Sequence, residues 1–129
     1  MARFTVHDSD MKAFQRISGD TNPLHHDADF AARRGFPGVV VYGGLILAQV
    51  SRLLGTELPG YGCVWRAVTL RFRSPLFVDE QAELSATVIH ANDELGTFEL
   101  KLSVTAAGRR IAEGEASAQQ ACEREDLHA

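Results

Sequence analysis

The chain is poor in cysteine, with only Cys63 and Cys122 in 129 residues. Both fall in strand-like stretches and read as reduced, small core residues rather than a disulfide framework. No Cys-x-x-Cys or His-Glu-x-x-His spacing occurs, so the common redox and zinc motifs are absent. His25-His26-Asp27 puts three metal-type side chains in a row. Adjacent residues rarely converge on one ion, so neither a metal nor another cofactor is expected. No apolar run approaches the ~18 residues of a membrane span. The N-terminus lacks a charged segment followed by an apolar core, so no secretory signal is expected and the location reads as cytoplasmic. Positive charge is also short: 13 Lys and Arg against 17 Asp and Glu leave a net charge of −4. Nucleic acid is therefore not the expected partner, because binding phosphates needs a basic excess. There is no internal repeat and no low-complexity segment.

What remains is an ordinary globular composition, 45% apolar and 23% charged. The length fits one domain over residues 1–129, able to bury roughly two-thirds of its unfolded surface. Residues 3–6 read as a short strand. Asp8 or Ser9 then caps a helix with Met11, Phe14 and Ile17 on one face and Ala13 beside them, closed by Gly19. Asp27 caps a second, short helix running to Arg34, with Phe30 and Ala31 inward and Gly35 and Pro37-Gly38 after it. Residues 20–38 thus form a long excursion between core elements, and such excursions tend to be functional.

Val39-Val40-Val41 leads into Gly44–Leu54, a stretch apolar nearly all round and ended by Gly55. As a helix it should be buried. Its first turn has Tyr42-Gly43-Gly44 where a Ser, Thr, Asp or Asn cap would stand. Its leading N–H groups therefore await a partner: a substrate oxygen, water or a distant side chain.

The rest alternates with period two, the strand signal. Val64, Val68, Leu70 and Phe72 share one face, opposite Trp65, Ala67, Thr69, Arg71 and Arg73. Leu84, Ala86 and Val88 follow, then Phe98, Leu100, Leu102 and Val104. Ala112, Gly114, Ala116 and Ala118 make a small-residue face that allows close approach of another layer. Pro75 suggests an edge or bulge position in its strand. Glu123–Ala129 is polar and should fray. One buried helix followed by an antiparallel meander is an α+β fold, with the sheet curled around the helix.

The chemistry concentrates in Ser18-Gly19-Asp20-Thr21-Asn22-Pro23-Leu24-His25. Asn before Pro favours a rigid turn, which can aim Asp20 and His25 at one point. A carboxylate and an imidazole so aimed make a general acid/base pair. Read alone, the octet also fits an ordinary loop with Asp20 as a turn residue and His25 on the surface.

The octet resembles the Ser-Gly-Asp-x-Asn-Pro-x-His signature of the MaoC-like dehydratases and (R)-specific enoyl-CoA hydratases. The similarity continues through the Gly-Gly-Leu helix and Phe72-Arg73-Ser74-Pro75-Leu76, over roughly residues 4 to 120. It implies a hot-dog fold, a homodimer, and reversible hydration of a 2-enoyl thioester carried by coenzyme A or an acyl carrier protein. By the same resemblance Asp20 and His25 are the acid/base pair and Gly43 is the oxyanion donor. Asn22 orients the loop or the water, Ser51 supports the site, and Tyr42 and Gly44 line the substrate. Many members carry His-Gly-Met-Leu where this chain has Tyr42-Gly43-Gly44-Leu45. The amides survive that change, while acyl-chain preference is expected to differ. Two alternatives share the thioester substrate. A hot-dog thioesterase would typically place a carboxylate on or near the central helix, and residues 44–55 carry none, only Gln49 and Ser51. A non-catalytic acyl-binding subunit would have no use for an intact Asp20/His25 pair.

Overall fold

The computed structural model describes residues 1–120; Cys122 and the Glu123–Ala129 tail lie outside them. Strand β1 (Ala2–Thr5) leads into helix α1 (Asp8–Ser18). A single 3₁₀ turn (Pro23–His25) and the short helix α2 (Ala28–Arg33) follow, and then the long helix α3 (Gly43–Thr56). Strands β2 (Cys63–Phe72), β3 (Gln81–Asn92), β4 (Thr97–Ala106) and β5 (Arg109–Gln120) complete the order. The strands form one antiparallel sheet in the order β1-β3-β4-β5-β2. It curls around α3, whose Ile46, Val50, Leu53 and Leu54 are buried. They pack in one core with Leu84, Leu100, Leu102, Val104, Ile111 and Ala116 of the sheet.

The period-two pattern holds best in the sheet centre. Leu100, Leu102 and Val104 are fully buried, and Ala112, Ala116 and Ala118 turn inward beside them. At Gly114 the close neighbour is a strand: a Cβ there would lie 1.8 Å from the Thr69 carbonyl oxygen of β2. Any side chain would push β2 off the sheet.

The edge strand departs from the expectation. The β2–β5 register shifts between Trp65 and Ala67. Trp65 pairs with inward-facing Ala118, and Val68, Leu70 and Phe72 pair with Ala116, Gly114 and Ala112. The extra residue of the bulge switches faces, so Trp65 points inward and Val64 is 52% exposed. Pro75 lies beyond the end of β2, in the connection to β3. Ile17 is 75% exposed rather than inward. Three-residue steps fall short of a helical turn, so Ile17 is rotated about 120° from Met11 around α1.

The helix ends also differ by small steps. The α1 cap is His7, whose N–H donates to the Asp10 carboxylate at 2.9 Å. Gly19, with φ 74°, closes α1 by donating to the Gln15 carbonyl at 2.8 Å. Asp27 caps α2 as expected, accepting from the Phe30 N–H at 3.1 Å. Helix α3 runs past Gly55, and its last carbonyls are taken by the N–H groups of Glu57, Leu58 and Gly60. Its Ala48, Ser51, Arg52 and Gly55 are exposed, so α3 is buried on one side, not all round.

Candidate active site

The loop from Ser18 to His26 is held almost wholly by its own short-range hydrogen bonds. The Asp20 N–H donates to Ser18 Oγ at 3.1 Å, and Asp20 Oδ1 accepts from the Asn22 N–H at 3.0 Å. Asn22 Oδ1 in turn accepts from the Leu24 N–H at 3.1 Å and caps the 3₁₀ turn that Pro23 opens. His26 Nε2 closes the loop on the Thr21 carbonyl at 3.0 Å. Asn22 therefore orients the loop, and its side-chain oxygen is already engaged. The side chains of His25, His26 and Asp27 go to three different partners, Val40, Thr21 and Phe30, and do not converge.

His25 is half-buried, and its Nδ1 lies 2.6 Å from the Val40 carbonyl oxygen. That oxygen can only accept, so Nδ1 carries the proton of the neutral ring and Nε2 keeps a free lone pair. Val40 is itself pinned, its N–H donating to the Leu24 carbonyl at 3.0 Å. The imidazole also stacks on Tyr42, with ring centroids 4.1 Å apart and planes at 25°.

His25 and Gly43 line one cleft of about 350 Å³. Val40, Ile46, Phe72 and Leu76 give it apolar walls, and Arg73 and Ser74 also line it. Gly43 is the first residue of α3, and among the described residues its N–H and that of Gly44 meet no acceptor. The positive end of the helix dipole points the same way. A bare imidazole nitrogen and free helix N–H groups beside one apolar cleft can accept a proton and stabilise an oxyanion together.

Asp20 sits apart from this cleft. It is exposed and makes no hydrogen bond to His25; the two meet through Tyr42. Tyr42, which by resemblance lines the substrate, is 2% exposed and does not line the cleft. Its hydroxyl donates to the Asp20 carbonyl oxygen at 2.7 Å. Burial and then the nearby Asp20 charge raise the Tyr42 pKa, so the phenol stays a donor. Gly44 does not line the cleft, and a Cβ there would lie 2.3 Å from Phe14 Cζ. Ser51 stands two turns further along α3, roughly 12 Å from Gly43. It is exposed and has no bond to the loop. A second depression of about 390 Å³ lies among Thr69, Arg71, Lys101 and Glu113 on the outer sheet face. It contains no imidazole and no free helix N-terminus.

Sequence reasoning missed the clamp on the cleft wall. Arg109 donates to both Glu80 oxygens at 2.7 Å and to the Pro75 carbonyl at 2.9 Å. The Arg109 hydrogen bonds hold the Glu80 carboxyl below the usual carboxylate range. No local signal marks two side chains 29 residues apart as partners.

One buried helix wrapped by a curled five-stranded antiparallel sheet is the hot-dog fold. A solved (R)-hydratase from A. caviae involved in PHA biosynthesis has the same shape, with a TM-score of 0.88 and 29% identity. The superposition covers 93% of this chain and 92% of that one. The MaoC like domain profile matches residues 2–108, and the chain belongs to that family. Among curated relatives, the (R)-specific enoyl-CoA hydratase of Rhodospirillum rubrum is 32% identical over 88% of this chain and 78% of its own. The (R)-specific enoyl-CoA hydratase of Aeromonas caviae is 34% identical over 84% of this chain and 81% of its own.

Proposed function

We propose that this protein is a hydro-lyase that reversibly hydrates a 2-enoyl thioester to the (R)-3-hydroxyacyl thioester. The observation that carries the reading is His25. Its Nδ1–H is committed to Val40, its Nε2 is free, and it shares an apolar cleft with the unpaired Gly43 N–H. In hydration, water gives up a proton to the Asp20/His25 pair as its oxygen bonds C3. Electron density moves through the double bond onto the thioester oxygen, which accepts from the Gly43 N–H. C2 then takes a proton from the pair, and the thioester is restored. Dehydration is the reverse. The protons are assigned to the pair and not to either member, because the two groups share the acid/base work. Asn22 takes part by stiffening the loop, and no metal or other cofactor enters any step.

The same proposal includes a homodimer and a cytoplasmic location. Among the described residues strand β2 pairs on one side only, with β5. Its Val64 and Phe72 are 52% and 54% exposed, an apolar edge that a second copy would cover. Sedimentation would read the dimer and cell fractionation the location. Among the described residues no helix is long and apolar enough to cross a membrane.

The test is an assay of crotonyl-CoA and longer enoyl-CoA thioesters, with the same acyl groups on acyl carrier protein in parallel. The expected product is the (R)-3-hydroxy thioester by chiral chromatography. The (S) product would overturn the mechanism. Release of free thiol would make the protein a thioesterase, although α3 carries no carboxylate. Binding without turnover would make it an acyl-binding subunit.

A further inference from the structure

The cleft explains His25 and Gly43 but leaves a buried phenol without a role. Tyr42 touches both members of the pair while staying out of the cleft. Its ring stacks on the imidazole of His25 at 4.1 Å, and its hydroxyl donates to the main-chain oxygen of Asp20 at 2.7 Å. Asn22 also bonds to both residues, but from within the loop: its N–H donates to Asp20 Oδ1 and its carbonyl accepts from the His25 N–H. From these contacts we infer that Tyr42 is the positioning residue that holds Asp20 at a set distance from His25, and that Phe14 seated on Gly44 holds Tyr42 in place. This inference deepens the acid/base reading and rests on it.

The geometry runs in four layers. Gly44 has no side chain, and the space its Cβ would occupy is taken by the Phe14 ring, 2.3 Å from that point. Phe14 lies against Tyr42 with centroids 4.7 Å apart and planes at 38°. Tyr42 then covers His25. A side chain at 44 would expel Phe14 and unsupport the phenol. Gly44 and Tyr42 thus belong to one packing arrangement that spans α1, the loop and the start of α3.

Asp20 needs such a tether because its side chain is exposed and its other bonds are local. Ser18 Oγ holds its N–H, and Asn22 N–H takes Oδ1. These bonds set the shape of the turn, and the Asn22 carbonyl joins it to the His25 N–H, but none of them holds the Asp20 main chain against the start of α3. Ser18, at the end of α1, holds the Asp20 N–H, and the Tyr42 hydroxyl is the one long-range hydrogen bond on the Asp20 main chain among the described residues. With the hydroxyl gone, the Asp20 end of the turn can shift while the Val40 carbonyl still holds the His25 ring. A drift on the order of 1 Å is enough to cost a large factor in rate.

Tyr42→Phe removes the hydroxyl and keeps the ring, so the stack on His25 persists. It should lower kcat about tenfold while leaving KM within about twofold, since no substrate contact is lost. The same change placed in Asp20→Asn should have almost no further effect, because Tyr42 acts through Asp20. Phe14→Leu leaves the hydroxyl intact and loosens the packing behind it. It should lower kcat by about threefold and likewise do nothing in the Asp20→Asn background. Circular dichroism and melting curves accompany each variant, and Phe14→Leu carries the test if Tyr42→Phe misfolds. An unchanged kcat in either folded variant overturns the inference. So does an equal loss in the Asp20→Asn background, which would mark a general structural effect. If Asp20→Asn itself keeps full turnover, the acid/base reading is what fails, and the two failures are told apart.

Discussion

The two ends of the Asp20–His25 loop are held in opposite ways. At Asp20 the main chain is tied down, by Ser18 Oγ and the Tyr42 hydroxyl, while the side chain remains exposed to water. At His25 the side chain itself is tied, by the Val40 carbonyl on one edge and the Tyr42 ring on one face. The fold thus sets the imidazole's tautomer and direction in advance and leaves the carboxylate open. A base that must present one lone pair to a bound substrate benefits from the first arrangement. A carboxylate that must meet water benefits from the second.

The sharpest way to break this comparison is to remove each group. Asp20→Asn and His25→Ala should each lower turnover by at least about a hundredfold. The double variant should be little worse than either single, because the pair works as a unit. Fully multiplicative losses in steady-state rates would show two independent groups. Gly43→Pro comes next, with an expected loss of around a hundredfold, the scale of one oxyanion donor. Position 43 opens α3, where Pro is tolerated, and Tyr42 at φ −57° and ψ 131° already has the backbone a following Pro prefers. Gly43→Ala keeps the donor and should stay within a few-fold of the parent, provided the Phe72 ring, 3.0 Å from the new Cβ, gives way.

Two smaller effects concern the walls. Gly44→Met should destabilise the fold by about 1–3 kcal/mol, the range for overpacking, because Phe14 fills that space. A melting temperature equal to the parent's would refute the packing account. Glu80→Gln should cost about 1 kcal/mol near neutral pH, an ion pair discounted for its partial exposure. The Glu80 carboxyl is held low in the folded state, so its stabilisation is present above the unfolded pKa. That stabilisation disappears as pH falls through the ordinary glutamate range, about 4.3, and below. The variant should therefore lose less stability than the parent on acidification, as read by denaturant titrations at several pH values.

The parts of the molecule legible in the sequence are those governed by local chemistry. The Asn-Pro turn, the Gly19 and Asp27 caps and the uncapped start of α3 depend on neighbours in the chain. Strand β4 alternates cleanly because it lies between two partners and meets the core on one face, whereas β5 breaks step once, at the neighbouring buried pair Ile111 and Ala112. Long-range contacts were not legible. The β2 bulge adds one residue and turns Trp65 inward without changing the composition, so alternation alone assigned Val64 to the wrong face. Ile17 continues an apolar stripe in sequence but leaves it in space. Tyr42 was marked only by its departure from the family pattern, and its buried, tethering place depends on Phe14 from a different helix. The Arg109–Glu80 clamp left no trace at all.

The most direct test is a structure of the Asp20→Asn variant with an enoyl thioester bound, read as one distance. The thioester carbonyl oxygen is expected within about 3.2 Å of the Gly43 amide nitrogen, a hydrogen-bond separation, with C3 of the acyl chain facing His25. A carbonyl oxygen well beyond that distance from both the Gly43 and Gly44 amides would contradict the proposed oxyanion site.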